Sequence, residues 1–252
     1  MLVLDKVSVS INNKSILQDI SFSVVEGEHL SIIGPNGSGK TTLLKTIANI
    51  LPFDGKILLE GTNIVTMSRK NIAKKIALLS QMTHMYFNYT VFDAVMMGRF
   101  AHREGGFFGG ISKKDKDIAE EMLLAVEMYD YKDREVNTLS GGQLQRVFLA
   151  TTLAQKPEII LLDEPTNHLD LKFQIELVEF LKKWAIKEEI TIIGVMHDIN
   201  LAIELSHNIL VMEHGKIKAL CNERELIDKK ILNQVYDIDV TEFMKKNFLR
   251  WV

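Results

Sequence analysis

The feature that most limits the possible folds is a glycine-rich octapeptide, residues 34–41, which reads GPNGSGKT. It follows a short apolar run at residues 28–33 that predicts a strand, and it precedes a helical pattern at residues 41–50. In this strand–loop–helix context, the pattern G-x-x-x-x-G-K-[ST] is typical of a phosphate-binding loop. The alternative, an ordinary glycine turn that caps a helix, explains the context less well.

The residue types in this phosphate loop suit an anion. Glycine lets the backbone curl so that successive N–H groups point inward, and the following helix adds its positive N-terminus. We expect Lys40 to reach the β- and γ-phosphates of a nucleotide and the Thr41 hydroxyl to bind Mg²⁺. The predicted nucleotide-binding residues of the loop and its flank are Gly34, Pro35, Asn36, Gly37, Ser38, Gly39, Lys40, Thr41 and Thr42.

The remaining apolar runs predict a mostly parallel sheet flanked by helices. Strands are expected at residues 76–80, 158–163 and 190–196, and the last two are continuous apolar runs, as in sheets covered on both faces. Residues 55–61 predict a hairpin strand within an N-terminal antiparallel β region. After Asn208 the chain predicts a further hairpin with its turn at residues 213–216, and short helices follow it.

The middle of the chain has helical spacing and no convincing strand, so we expect an inserted helical subdomain. Its segment 104–110 carries four glycines and predicts a mobile loop. The expected division of one 252-residue domain is a core with its β region, a helical subdomain and a C-terminal helical tail. Their respective boundaries are 1–90 with 154–220, 91–153 and 221–252.

Composition excludes several functional classes. The chain is 46% hydrophobic and 25% charged, which suits a globular protein, and its formal net charge of −3 gives no support to a nucleic-acid groove. The single cysteine, Cys221, predicts a small buried hydrophobe. With no signal-peptide core and no apolar run long enough to span a bilayer, any membrane role is expected to come from a partner chain.

Two neighbouring carboxylates, Asp163 and Glu164, end the predicted strand at residues 158–163. Because side chains alternate along a strand, the two acids need not share a role. We expect Asp163 to hold Mg²⁺ and Glu164 to orient or deprotonate the attacking water. Many strands end in solvated acids, but together with the phosphate loop this pair predicts phosphoryl transfer.

A third motif, LSGGQ at residues 139–143, lies in sequence between the phosphate loop and the acidic pair. A serine–glycine helix cap is common alone, but this order of three motifs resembles the ABC ATPase family over nearly the whole chain. The resemblance implies ATP as the nucleotide, and it implies that LSGGQ of one copy completes the ATP site of another in a two-fold dimer. The residues assigned to that role are Ser140, Gly141, Gly142 and Gln143.

The resemblance also implies roles at three further places. Gln81 falls at the glutamine loop, which senses Mg²⁺ and the γ-phosphate, and His197 falls at the switch histidine, which contacts the γ-phosphate. Residues 167–170 match the loop through which two subunits communicate. Without the family context, Gln81 is read as a solvated side chain, a lone histidine is uninformative, and Asp170 is a helix cap.

Ile11 departs from the family pattern, since many members have an aromatic residue there on which adenine stacks. Aliphatic packing replaces some of this contact, but stacking worth on the order of 1 kcal/mol is lost. We therefore expect weaker nucleotide affinity and a looser preference for purines. Residues 150–153 read ATTL where the family often has ARAL, which removes a possible salt bridge without implying inactivity.

Residues 90–99, 166–174 and 196–202 look like the importer ATPases that serve iron-chelate, haem and cobalamin permeases. This implies membrane permease subunits and, indirectly, a substrate-binding protein as partners, with the chain peripheral on the cytoplasmic face of the membrane. The apolar patch at residues 82–87 is a candidate groove for a permease helix, although core packing explains it equally well.

Three alternatives to this function stay open at the level of sequence. Zinc and manganese importers share much of the pattern, and a soluble ABC ATPase of iron–sulfur cluster assembly would have the same site without a permease. A module that binds ATP without turnover is disfavoured, because Lys40, Asp163, Glu164 and His197 are all present.

Overall fold

The computed structural model describes residues 1–80, 89–103, 111–167, 169–228 and 230–249. The strands in chain order are β1 (Leu2–Ile11), β2 (Lys14–Val24), β3 (His29–Ile33), β4 (Asp54–Leu59), β5 (Thr62–Asn63), β6 (Ile76–Leu79), β7 (Ile159–Asp163), β8 (Thr191–Val195), β9 (Asn208–Glu213) and β10 (Lys216–Asn222). The α-helices are α1 (Lys40–Ile47), α2 (Arg69–Lys75), α3 (Val91–Met97), α4 (Lys113–Ala125), α5 (Gly141–Ala154), α6 (Leu171–Glu188), α7 (Ile199–Leu205), α8 (Glu223–Asp228), α9 (Ile231–Tyr236) and α10 (Val240–Phe248).

The chain divides into two compact units. Unit 1 comprises Met1–Ile64 and Ile193–Val252, and unit 2 comprises Val65–Ile192. The division predicted from sequence at residues 90, 153 and 220 stays a prediction.

Unit 1 contains the predicted antiparallel β region as a sheet of order β2-β1-β4-β5. Alternate side chains of β1 are buried, and a register shift next to Lys6, which has φ 50°, returns Val7 to the buried face. The β1–β2 turn consists of Asn12 and Asn13, both with positive φ, as tight hairpin turns require.

Unit 1 also contains the strand that leads into the phosphate loop. β3 pairs in parallel with β9, and β9 pairs with β10 in the predicted hairpin, whose turn is His214 and Gly215. The N–H of Met196, just after β8, donates to the carbonyl of Ile32 in β3 at 3.1 Å. Residues 30–33 are buried, which places the loop at the end of a strand that lies inside the core.

In unit 2, β6 and β7 pair in parallel and β7 is buried along its whole length. The N–H of Thr191, where β8 begins, donates to the Glu158 carbonyl at 3.0 Å. These parallel pairs confirm the sheet type that the continuous apolar runs predict. The described residues 91–103 and 111–154 form α3, α4 and α5 with short 3-10 turns, as expected for the helical middle.

A buried ion pair connects the helices of unit 2. Arg99 Nε donates to Asp115 Oδ1 at 2.9 Å, and Arg99 Nη1 donates to the Ala154 carbonyl at the end of α5. Burial alone would raise the pKa of Asp115, but hydrogen bonds from Ser112 and Arg99 outweigh it and hold that pKa below its ordinary value. The charged form therefore persists, and the pair fixes α3 and α4 against the end of α5.

Two smaller expectations can be compared with the structure. Cys221 is buried, as predicted. None of the helices in the described part of the chain combines the length and hydropathy that crossing a bilayer requires.

The predicted permease groove at residues 82–87 and the glycine-rich segment 104–110 lie outside the described residues.

Candidate functional site

The phosphate loop joins β3 to α1 in a backbone conformation that needs glycine. Gly34, Gly37 and Gly39 have φ values of 146°, 79° and 100°. A Cβ atom on Gly34 would overlap the carbonyl oxygen of Met212 in β9, and one on Gly39 would lie 2.7 Å from the Leu17 side chain. The core therefore presses on the inner side of the loop, and only glycine fits at these two positions.

Lys40 is the first residue of α1 and is buried at 5% exposure. Its Nζ donates to the carbonyl oxygens of Gly34 at 2.7 Å and Pro35 at 3.0 Å. These bonds hold the ammonium group across the curl of the loop. A positive charge at a helix N-terminus favours binding of an anion.

The hydroxyl group of Ser38 shows whether the loop can accommodate a phosphate. Its Oγ is buried, and it has no hydrogen-bond partner among the described residues. Leaving such a group unpaired costs about 1–3 kcal/mol, which a phosphate oxygen accepting a hydrogen bond would remove. A Cβ built on Gly37 meets no described atom within 4 Å, so the outer side of the loop is open. The loop therefore fits a phosphate group.

Unit 1 also contains the predicted site residues that lie beside the phosphate loop in sequence, at the end of β1 and after β8. Thr41 and Thr42 follow Lys40 in α1 and are half-buried, while Ile11 ends β1 with 40% exposure. His197 is exposed in the turn after β8. Asp198 caps the helix that follows by accepting from the N–H groups of Asn200 and Leu201, which fixes the backbone beside the histidine.

The acidic pair lies at the end of β7 in unit 2. Asp163 is buried, whereas Glu164 is half-buried and adopts a left-handed backbone with φ 54°. This conformation costs a non-glycine residue about 1–3 kcal/mol and is concentrated at functional sites. Asn167 Nδ2 donates to Glu164 Oε2 at 2.6 Å, so the carboxylate is held in one direction.

The serine–glycine turn caps α5, also in unit 2. The Gln143 N–H donates to Ser140 Oγ at 3.4 Å, and Gln143 Oε1 accepts from the Ser140 N–H at 3.0 Å, which completes a capping box. A Cβ on Gly141 or Gly142 would meet no described atom within 4 Å. The positive end of a 14-residue helix is thus open to an approaching ligand or chain.

The predicted site residues fall into three groups. Those in unit 1 are Ile11, residues 34–42 and His197; those in unit 2 are residues 140–143, Asp163 and Glu164; Gln81 and His168 lie outside the described residues. Within the described ranges, no group of three or more His, Cys, Asp and Glu side chains could hold a metal ion.

Two features of the site were not predicted from the sequence. The Asn167–Glu164 hydrogen bond depends on the left-handed turn after β7, for which no sequence signal was recognised. Tyr236, the last residue of α9, lines a cavity together with residues 35–38 of the phosphate loop. Nothing in the sequence connects a tyrosine so far along the chain to the phosphate loop.

Comparison with known proteins gives one family. A family model described as ABC transporter matches residues 17–167, a range that contains the phosphate loop, LSGGQ and the acidic pair. The iron(3+)-hydroxamate import ATP-binding protein FhuC of Bacillus subtilis is 37% identical over 236 residues, which cover 93% of this chain and 87% of that protein. The petrobactin import ATP-binding protein FpuC of Bacillus anthracis is 35% identical over 244 residues, covering 96% and 89%.

A solved structure extends the likeness to three dimensions. The dimeric post-hydrolysis state of the ATP-binding cassette MJ0796, bound to ADP and Pi, matches with a TM-score of 0.76 and 28% identity. The match covers 88% of this chain and 98% of that chain. The fold is therefore that of the ABC ATPase domains.

Proposed function

This chain belongs to the ABC transporter family as an ATP-binding protein, and we propose that it hydrolyses ATP to drive import of an iron chelate, haem or cobalamin through a separate membrane permease. The observation that carries the cargo class is the pair of relatives named for hydroxamate and petrobactin import, each aligned over more than nine-tenths of this chain. They favour an iron chelate over the zinc, manganese and iron–sulfur alternatives.

The phosphate loop is proposed to hold the β- and γ-phosphates of ATP. Lys40 supplies a positive charge already fixed across the loop, and Ser38 supplies a hydroxyl that is buried and lacks a described partner. Thr41, Asp163 and Gln81 offer the hard oxygen ligands that Mg²⁺ prefers. When bound, that ion neutralises charge on the phosphates.

Glu164 is proposed to orient or deprotonate the attacking water. A carboxylate that Asn167 holds in one direction suits this role, since a general base must point consistently at the proton it takes. His197 is proposed to contact the γ-phosphate from the turn after β8. Both assignments follow the family pattern at these positions.

A second copy is proposed to complete each ATP site with its LSGGQ turn. The open glycines at the N-terminus of α5 suit an approach to the γ-phosphate of a nucleotide held by another chain. ATP then stabilises the closed dimer to the extent that it binds that state better, and hydrolysis loosens it. Two such sites form in a two-fold arrangement.

The permease is expected to recruit this chain to the cytoplasmic face of the membrane. When the chain is expressed together with the integral membrane subunits of its transporter, it should sediment with membranes and support uptake of a ferric hydroxamate. Without those subunits it should stay in the supernatant. The measurement is membrane fractionation together with uptake of labelled iron.

Glu164→Gln supplies the control for this experiment, because it should abolish uptake without preventing membrane association. Sedimentation that does not depend on the permease would contradict the proposed partner. Uptake of zinc or manganese instead of the ferric hydroxamate would assign the chain to the zinc and manganese importers.

Ile11→Tyr is expected to tighten ATP binding about fivefold, because a ring at this position can stack on adenine for about 1 kcal/mol. Titration calorimetry measures the affinity for ATP. The same titration with the triphosphates of pyrimidine nucleosides measures the preference for purines over pyrimidines. Ile50→Tyr adds the same ring at another exposed aliphatic position of unit 1 and should change neither. Unchanged ATP affinity in Ile11→Tyr would show that this position does not contact the base.

A further inference from the structure

The β9–β10 turn contacts the phosphate loop through the backbone within unit 1. The N–H of Gly215, the second residue of this turn, donates to the Ser38 carbonyl at 3.1 Å. The carbonyl of Gly215 accepts from the N–H of Gln18 in β2 at 2.8 Å. Gly215 is buried, and its two backbone groups connect the loop to the antiparallel sheet.

Only glycine fits at this position of the turn. Gly215 has φ 77°, and a Cβ atom on it would lie 2.3 Å from the carbonyl oxygen of Ile16 in β2. The same carbonyl oxygen would lie 3.2 Å from a Cβ atom on Gly39. The turn and the phosphate loop are therefore both held against one segment of β2.

The hydrogen bond from the turn fixes the orientation of the peptide group between Ser38 and Gly39. In a planar trans peptide the C=O and the N–H point in opposite directions, so the Gly39 N–H points away from the turn. Because residue 39 is a glycine with φ 100°, it would itself offer little resistance to rotation of this peptide group. The turn thus opposes a rotation that would place a carbonyl oxygen where the N–H now lies.

We propose that Gly215 is a positioning residue for nucleotide binding, whose N–H keeps the N–H of Gly39 directed at the phosphates. The inference rests on the proposed function in that the loop is taken to bind ATP. An N–H in this direction donates to a phosphate oxygen, whereas a carbonyl oxygen there would repel the anion. Gly215 belongs to none of the three sequence motifs, and it lies beyond the residues that the family model matches.

The direct test is Gly215→glycolic acid, introduced by cell-free translation, which replaces the N–H by an ester oxygen and adds no side chain. The Kd for ATP should rise about two- to tenfold, the range for one hydrogen bond. The kcat at saturating ATP should be unchanged, because the contact is the same in the ground state and in the transition state. Without nucleotide, amide hydrogen exchange in the peptide that contains residues 34–39 should quicken.

Gly61 supplies a matched control in the same unit. It is the second residue of the β4–β5 turn, with φ 77°, and it follows Glu60 at φ 51° as Gly215 follows His214 at φ 48°. A Cβ atom on Gly61 would meet no described atom within 4 Å. Gly61→glycolic acid should therefore leave Kd and exchange unchanged. Gly215→Ala should weaken ATP binding more than Gly61→Ala, since only the former pushes the turn away from Ile16.

The other outcomes overturn the inference. An unchanged Kd in Gly215→glycolic acid would show that this N–H does not position the loop, and a lower melting temperature with unchanged Kd would make the turn a packing element only. An equal rise in Kd for both esters would mean that the contact with Ser38 is not the cause. A raised Kd with unchanged exchange would indicate a direct contact with the nucleotide instead.

Two further results remain interpretable. If Gly215→Ala fails to fold, the two esters decide the question, because they add no atom that could clash. Failure of the wild type to bind ATP would refute the proposed function, while exchange in Gly215→glycolic acid would still test whether the turn orders the loop.

Discussion

Glu164→Gln is expected to lower the rate of ATP hydrolysis by at least about 100-fold, the usual contribution of a positioned general base. The amide keeps the size of the side chain and can still meet Asn167, but it cannot accept a proton from water. ATP binding should be retained, because the phosphate contacts are made elsewhere. Phosphate release under saturating ATP measures the rate, and size-exclusion chromatography with ATP should detect an accumulated dimer.

Glu158→Gln is the matched control for this result. Glu158 precedes the other end of the same strand, β7, and pairs with Lys75 at 2.6 Å at a partly exposed position. The Glu158→Gln substitution makes the same acid-to-amide change without altering Glu164, the proposed base. Turnover should therefore stay near that of the wild type. Equal turnover in Glu164→Gln and the wild type would remove Glu164 from the mechanism.

Lys40→Met is expected to weaken ATP binding about 10- to 100-fold and to reduce turnover accordingly. Methionine matches the length of lysine but loses the positive charge, and charge-assisted hydrogen bonds contribute about 1.5–3 kcal/mol each. The variant also frees the carbonyls of Gly34 and Pro35, which now accept from Nζ. Equilibrium binding of a fluorescent ATP analogue measures the loss.

Lys45→Met separates this effect from general damage to the helix. Lys45 lies in the last turn of the same helix, α1, so the exchange removes an identical side chain outside the phosphate loop. We expect the affinity of this control to stay within about twofold of the wild type, a difference of less than 0.5 kcal/mol. If both variants bound ATP equally well, the loop would not be the nucleotide site.

The sequence by itself determined the local parts of this protein. The phosphate loop, the strand before it and the helix after it were predicted correctly, because turn geometry and hydrophobic periodicity depend on residues close together in the chain. The capping box at Ser140 and Gln143 is equally local. The parallel strands β6 and β7 followed from continuous apolar runs, since only strands covered on both faces can bury them.

Tertiary structure alone decided how the loop is supported. The close approach of Gly34 to the Met212 carbonyl joins residues that are distant in sequence. The left-handed backbone of Glu164 depends on the turn that ends in Asn167. No periodicity or propensity encodes such contacts, because they arise only when separate elements pack into one core. The motif specifies where phosphate can bind, and the packed elements behind it decide how rigidly the loop is held.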